Sequence, residues 1–168
     1  IWLVPATAQE YWNYKTAYMA YDRGEFTLAA DMFKRLAAKG HMRAQNDLAF
    51  LYEIGQGVAP NRKKAALWYR KAADQGYGPA QYRVADLYLA GRGITKDVVE
   101  AHKWFSLASL LNRDPGRRDL ANDRRKALEN QLSGSQLVTA RTRACRWWQS
   151  FTRNKPSPHR ELAGCASE

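Results

Sequence analysis

The feature that most constrains this fold is a 36-residue pattern that occurs twice in succession. When residues 41–76 are aligned with residues 77–112, ten positions are identical. The identical pairs are Ala44/Ala80, Gln45/Gln81, Ala49/Ala85, Leu51/Leu87, Tyr52/Tyr88, Gly55/Gly91, Gly57/Gly93, Ala65/Ala101, Trp68/Trp104 and Ala72/Ala108. A fixed period of this length is typical of proteins in which one supersecondary unit stacks on the next. The sequence therefore predicts a repeat architecture.

Each copy carries two apolar stripes with helical spacing. In the first copy the stripes are Ala44, Leu48, Leu51 and Tyr52, followed by Ala65, Trp68, Tyr69 and Ala72. Gly55 and Gly57 stand between them, and a glycine just past the last periodic residue is a common helix end. Each copy is therefore predicted to be a helical hairpin. One hairpin cannot bury its apolar face alone, so the hairpins must stack into a solenoid.

The residues that carry a family resemblance are Ala44-Gln45, Leu48-Ala49, Leu51-Tyr52, Gly55-x-Gly57-Val58, Ala65, Trp68-Tyr69, Ala72-Ala73 and Gly76. This pattern resembles the SEL-one-like repeat (SLR), a relative of the tetratricopeptide repeat. The resemblance implies an all-α fold and a scaffold for protein complexes, often in the bacterial envelope. We expect a right-handed α/α solenoid of about three helical hairpins, closed by a C-terminal capping helix pair. Some secreted relatives are cysteine-rich and have been ascribed β-lactam binding, but the two copies here contain no cysteine.

The sequence divides into five segments. Residues 1–8 are interpreted as a signal-peptide remnant or an N-terminal extension, because Ala6-Thr7-Ala8 resembles a cleavage site. An ordinary frayed terminus and an uncleaved anchor are the alternatives. Residues 9–40 form a degenerate first hairpin, residues 41–112 the two repeats, residues 113–152 the capping helix pair and residues 153–168 a flexible tail. The second capping helix is expected to start at a capping box made by Ser133 and Gln136.

Candidate partner-binding residues lie on the first helices of the hairpins. They are Tyr11, Tyr14, Tyr18 and Tyr21, spaced as one helix face, and the repeated glutamines Gln45 and Gln81. Tyrosine combines a rigid ring with a polar tip and is common at protein interfaces. The alternative is that the tyrosines pack as ordinary core against the second hairpin.

The chain is basic, with a formal net charge of +11. Residues 113–168 hold 12 basic and six acidic residues, and Arg141, Arg143 and Arg146 form a candidate basic patch there. Such charge favours acidic proteins or anionic lipid headgroups as partners. A solvated surface without a partner is the alternative. Nucleic acid is not expected as a partner, because basic charge alone supports only nonspecific binding.

The two cysteines of the chain, Cys145 and Cys165, form a candidate disulfide. In an oxidising compartment they would close a loop of about 20 residues and stabilise the fold by roughly 3 kcal/mol on the chain-entropy estimate. In a reducing compartment both would be bystanders.

The sequence offers no recognisable active site. His41, His102 and His159 are scattered without metal-ligand spacing, and the Gly-x-Gly loops follow helices where nucleotide loops follow strands. We therefore predict no enzyme activity, no metal and no cofactor. The predicted function is a protein–protein interaction scaffold or adaptor, exported to the periplasm, in which the chain is an accessory subunit of a membrane-associated complex. The alternative is an envelope hydrolase or glycan-binding protein of the type ascribed to the cysteine-rich relatives.

Overall fold

The structure, a computed structural model, describes residues 6–153 and Cys165, with side chains described from Asn13 onward. Within those residues there are eight helices and no strand. The helices are α1 (Ala6–Asp22), α2 (Phe26–Ala38), α3 (Met42–Ile54), α4 (Arg62–Asp74), α5 (Gly78–Ala90), α6 (Val98–Leu111), α7 (Pro115–Glu129) and α8 (Gly134–Thr152). The all-α class predicted from the repeat is confirmed. Most of the predicted N-terminal extension and, apart from Cys165, the tail beyond Arg153 lie outside the described residues.

Specific residues fix the ends of the repeat helices. Asp97 begins α6, and its carboxylate accepts a hydrogen bond of 3.0 Å from the backbone N–H of Glu100. Gly55 ends α3 and Gly91 ends α5, with φ angles of 76° and 67°. This left-handed conformation costs a residue with a Cβ about 1–2 kcal/mol, so glycine is favoured at both positions. The equivalent helices of the two copies therefore end by the same device.

The chain divides into two compact units, Ile1–Ala72 and Ala73–Glu168. In the first unit, α2 packs against both α1 and α3. The central core cluster there consists of Ala17, Ala20, Ala29, Ala30, Phe33, Leu36, Ala37, Ala44, Leu48 and Leu51. Alanine dominates the contact surfaces, which lets the helix backbones approach closely, while burial of each large side chain contributes about 2 kcal/mol.

In the second unit, α6 packs against α5, α7 and α8. All eight residues from 101 to 108 are buried, including Trp104 and Phe105. An isolated hairpin would bury only one stripe of α6. Because helices pack on several sides of α6, its whole circumference is buried over these residues. The polar residues of α6 in this stretch therefore also become part of the interior.

The two helices that follow the repeats form as predicted, and α8 begins with the predicted capping box. The Ser133 hydroxyl accepts from the backbone N–H of Gln136 at 3.3 Å, and the Gln136 side chain accepts from the Ser133 N–H at 2.9 Å. None of the described helices is long and apolar enough to cross a membrane.

Candidate functional site

A pocket of about 260 Å³ lies in the first unit, among α1, α2 and α3. It is lined by Tyr18, Tyr21, Phe33, Asp47, Phe50 and Leu51. Phe33 and Leu51 are fully buried and belong to the core, whereas Tyr18 is 46% exposed. The pocket is therefore an opening from the solvent onto the core, with aromatic walls and one acidic group. We call it the α1–α3 pocket.

The predicted tyrosine row of α1 serves two purposes in this structure. Tyr14 is half-buried. Its ring stacks on the His41 ring, with 4.9 Å between the ring centroids, and lies at a tilt to the Phe33 ring, with 6.0 Å between the centroids. The ring centroids of Tyr18 and Tyr21 are 6.3 Å apart, and both residues line the pocket. The side chain of Tyr11 lies outside the described residues. The row thus divides into a packing residue, Tyr14, and two pocket residues.

Asp47 is the acidic group of the pocket. Its Oδ2 accepts a 2.7 Å hydrogen bond from the Tyr14 hydroxyl, and its Oδ1 accepts a 3.1 Å hydrogen bond from the Asn46 amide. Burial raises the pKa of the Asp47 carboxyl above its ordinary value, and the two hydrogen bonds oppose part of that rise. Asp47 takes part in none of the ion pairs found among residues 13–153. It is therefore a largely enclosed carboxyl group that makes none of these direct ion pairs, and the nearby charges of His41 and Arg43 offset only part of the rise in its pKa.

Asp47 and Phe50 reach the pocket because they are three residues apart on α3 and so lie on one helix face. The equivalent positions in the second copy are Arg83 and Asp86. The acidic and aromatic side chains that α3 contributes to the pocket are therefore not repeated in the second copy.

The structure places the repeated glutamines, which the sequence suggested as partner-binding residues, in the interior. Gln45 is 4% exposed and Gln81 is fully buried. Each side-chain amide donates to a backbone carbonyl near the end of the preceding helix, Gln45 to Ala37 at 3.1 Å and Gln81 to Ala73 at 3.2 Å. The last carbonyls of a helix lack partners within the helix. Those of Ala37 and Ala73 accept from the backbone N–H groups of Gly40 and Gly76, and each glutamine adds a second hydrogen bond from the next hairpin. Their side chains hold the fold together and are not presented to a partner.

The two copies of the pattern match a known repeat. The Sel1 repeat profile matches residues 43–77 and residues 78–112, within two residues of the copies found by internal alignment. Residues 43–112 are two Sel1 repeats. The resemblance to the SLR family is confirmed. No curated protein matches the chain.

Two solved structures are similar to this chain. One is a protective antigen present in uropathogenic Escherichia coli strains that displays an SLR fold, with a TM-score of 0.73, 25% identity and coverage of 89% of this chain and 33% of that one. The other is a Sel1 repeat protein from Oxalobacter formigenes, with a TM-score of 0.59, 23% identity and coverage of 92% and 78%. The chain thus spans one third of the length of the Escherichia coli protein. Sel1-repeat proteins generally mediate protein–protein interactions, and their scaffolds are generally non-catalytic.

The predicted basic patch lies on α8, outside the Sel1 repeats. Arg143 makes an ion pair of 3.0 Å with Glu100 and one of 3.7 Å with Asp97, which connect α8 to the start of α6. Arg141 lies 3.5 Å from Glu129 of α7. Arg146 is exposed. Two of the three arginines therefore attach α8 to its neighbours, and lipid or acidic-partner contact by this patch stays a prediction.

Cys145 and Cys165 are joined by a disulfide in the structure, with their Cα atoms 5.5 Å apart. Cys145 lies on α8 and is half-buried, as is Cys165. The bond attaches position 165 to the last helix of the second unit. Formation of the bond in the natural protein requires an oxidising compartment. The location of the protein in such a compartment is a proposal.

His102 is the histidine whose surroundings bear on the hydrolase alternative. It is 1% exposed, its Nε2 lies 3.4 Å from Glu129, and its Nδ1 has no hydrogen-bond partner among the described residues. Burial lowers the pKa of its imidazole, which favours the neutral ring. The nearby Ser106 hydroxyl donates to the backbone carbonyl of His102 and not to the ring. A nucleophile paired with a base, which a hydrolase requires, is not formed here.

Sequence reasoning missed Asp47 and Phe50. Neither belongs to an apolar stripe, and nothing local in the sequence places them opposite Tyr18. One signal in the sequence could have indicated them. They differ from Arg83 and Asp86, the residues at the equivalent positions of the second copy, although many neighbouring positions of the two copies are identical.

Proposed function

We propose that this Sel1-repeat chain is a non-catalytic adaptor that holds another protein at the α1–α3 pocket. The observation that carries the proposal is the exposed Tyr18 beside a pocket lined by four other aromatic or carboxyl side chains, Tyr21, Phe33, Asp47 and Phe50. Tyrosines beside a pocket are frequent binding hot spots, because they bury a large rigid surface at low entropic cost.

We further propose that the adaptor works in the bacterial envelope, as an accessory subunit of a membrane-associated complex. The placement of Cys145 and Cys165 at disulfide-forming distance supports this, since such bonds persist in oxidising compartments. The Ala6-Thr7-Ala8 motif supports it too, as a candidate cleavage site. N-terminal sequencing of the natural protein tests this part. A mature start near Gln9 supports export, and a protein recovered from the cytosol with an intact upstream segment contradicts it.

The docking role is tested by quantitative co-purification from the membrane fraction of the native host. Three forms of the tagged protein are compared: the unaltered chain, Tyr18→Ala and Leu28→Ala. Leu28 is the matched control, because it is 50% exposed on α2 of the same unit and does not line the pocket.

The Tyr18→Ala form is expected to lose most of a reproducible partner that the Leu28→Ala form retains. Both melting temperatures are expected to stay within about 2 °C of the unaltered chain, because surface substitutions usually change stability by less than about 0.5 kcal/mol. Equal recovery of the partner by both variants would remove the pocket from the proposal. A large fall in the melting temperature of Tyr18→Ala alone would show that the tyrosine is a packing residue.

A further inference from the structure

We propose that the α1–α3 pocket receives one basic side chain, a lysine or an arginine, from the partner protein. This inference rests on the proposed docking function and names the chemistry that the pocket recognises.

The size of the pocket favours a single side chain. Sites for drug-sized molecules measure roughly 300–1,000 Å³. The α1–α3 pocket, at about 260 Å³, lies below that range. It is therefore too small for a helix or a folded segment, and it fits the end of one long residue.

The walls suit a cation on an apolar stem. Tyr18, Tyr21 and Phe50 supply aromatic rings, whose faces attract ammonium and guanidinium groups. The buried side chains of Phe33 and Leu51 offer apolar contact to the methylene groups that lysine and arginine carry below their charge.

Asp47 supplies the opposite charge. Each of its oxygens accepts one hydrogen bond from within the chain, from Tyr14 and from Asn46, and a carboxylate has about four acceptor positions. Capacity for a further donor is therefore available. Enclosed charges in proteins are normally paired. Asp47 makes none of the direct ion pairs found among the described residues, and the nearby charges of His41 and Arg43 compensate only part of the cost of its burial. A cationic group from the partner would complete this environment and hold the carboxyl group in its ionised form.

The charge of the rest of the chain defines the ligand further. A net charge of +11 repels polybasic segments at long range. Recognition must then come from local contacts with an isolated basic residue. The second repeat has Arg83 where the first has Asp47, so the chain offers one such contact on its repeats and not a row of them.

The test is a titration of the full chain, labelled with ¹⁵N, with four capped pentapeptides that differ only in their central residue. The central residues are arginine, lysine, norleucine and glutamate, each flanked by glycine and serine. Norleucine is the matched control, because it keeps the apolar stem and lacks the charge. Binding is read from the backbone amide shifts of Tyr18, Asp47 and Phe50.

The arginine or lysine peptide is expected to bind about tenfold more tightly than the norleucine peptide, the factor typical of a hydrogen bond to a charged group. In the Asp47→Asn chain that advantage is expected to disappear. The comparison of peptides on the unaltered chain decides the inference even if Asp47→Asn does not fold.

Equal or tighter binding of the norleucine peptide would overturn the recognition of a basic residue and leave docking at the pocket intact. Preference for the glutamate peptide would overturn it as well. If no peptide shifts the pocket amides, the inference falls. If, in addition, Tyr18→Ala keeps its partner in the co-purification, the docking function falls with it.

Discussion

At the scale of single residues, comparison of the two Sel1 repeats distinguishes side chains that maintain the fold from side chains that differ between the copies. Gln45 and Gln81 are identical across the repeat and both are buried donors to backbone carbonyls. Asp47 has Arg83 as its counterpart and lines an open pocket. A polar residue that recurs in every copy is thus explained by packing, because every copy must solve the same packing problem. A polar residue on the same helix that changes between copies is the better candidate for function.

The substitution Asp47→Asn is expected to stabilise the protein at neutral pH. Burial raises the pKa of Asp47 in the folded state, so the protonated carboxyl favours folding below its ordinary pKa of 3.8 and this contribution is lost as the pH rises through the folded value. Asparagine stays neutral across this pH range, so the variant does not lose this contribution to stability as the pH rises.

Melting temperatures of Asp47→Asn and the unaltered chain, measured from pH 7 down to pH 3, check this. The variant is expected to melt higher at pH 7, with the difference shrinking towards acid. A variant that melts lower at pH 7, by a margin that grows as the pH rises, would mean that Asp47 is stabilised as an anion within the chain.

These residues also show how far sequence alone reaches. The period and the glycines predict the repeat helices, and the spacing of Ser133 and Gln136 predicts the start of α8, because both signals are local. The tyrosine spacing finds Tyr18 and Tyr21 but does not distinguish them from Tyr14, since that difference depends on His41 and Phe33. Burial on all sides of α6 depends on three other helices, so its apolar stripe could not indicate it.

At the scale of helices and loops, the second glycine of the Gly-x-Gly loop has a role that differs from the first. Gly55 ends α3, whereas Gly57 lies against the backbone at the start of α2. A Cβ at Gly57 would overlap the carbonyl group of Phe26. The loop therefore seats one hairpin closely against the preceding hairpin within the first unit.

This close approach predicts unequal costs for one substitution at two glycines. Gly24 and Gly57 both have positive φ angles, 79° and 68°, but a Cβ at Gly24 meets nothing within 4 Å. Gly24→Ala is expected to cost about 1–2 kcal/mol from the backbone conformation alone. Gly57→Ala is expected to cost about 1–3 kcal/mol more, because α2 must shift to make room.

Urea denaturation of the two variants measures the difference. Similar free energies of unfolding would show that the loop does not press on α2 in solution.

At the scale of the whole molecule, the disulfide is the feature most sensitive to surroundings. It links Cys145 of α8 to position 165, at a sequence separation of 20 residues. On the loop-entropy estimate, closing a loop of that length stabilises the fold by about 3 kcal/mol. For a chain of this size that corresponds to a fall of up to about 10 °C in the melting temperature when the bond is reduced.

Thermal unfolding with and without reductant tests this for the unaltered chain. The double substitution Cys145→Ser and Cys165→Ser is the control, and its melting temperature is expected not to respond to reductant. Free thiols in freshly isolated protein, together with a melting temperature that ignores reductant, would contradict a structural bond and weaken the proposal of an oxidising compartment.

The central claim is that a partner protein docks at the α1–α3 pocket. Site-specific photocrosslinking in the native host tests it most directly, with a photoreactive phenylalanine analogue placed at Tyr18 in one form and at Leu28 in another. One discrete crosslinked partner is expected from position 18, no corresponding product from position 28, and loss of the position-18 product when Asp47→Asn is added. Equal crosslinking from both positions, or none from position 18, would contradict it.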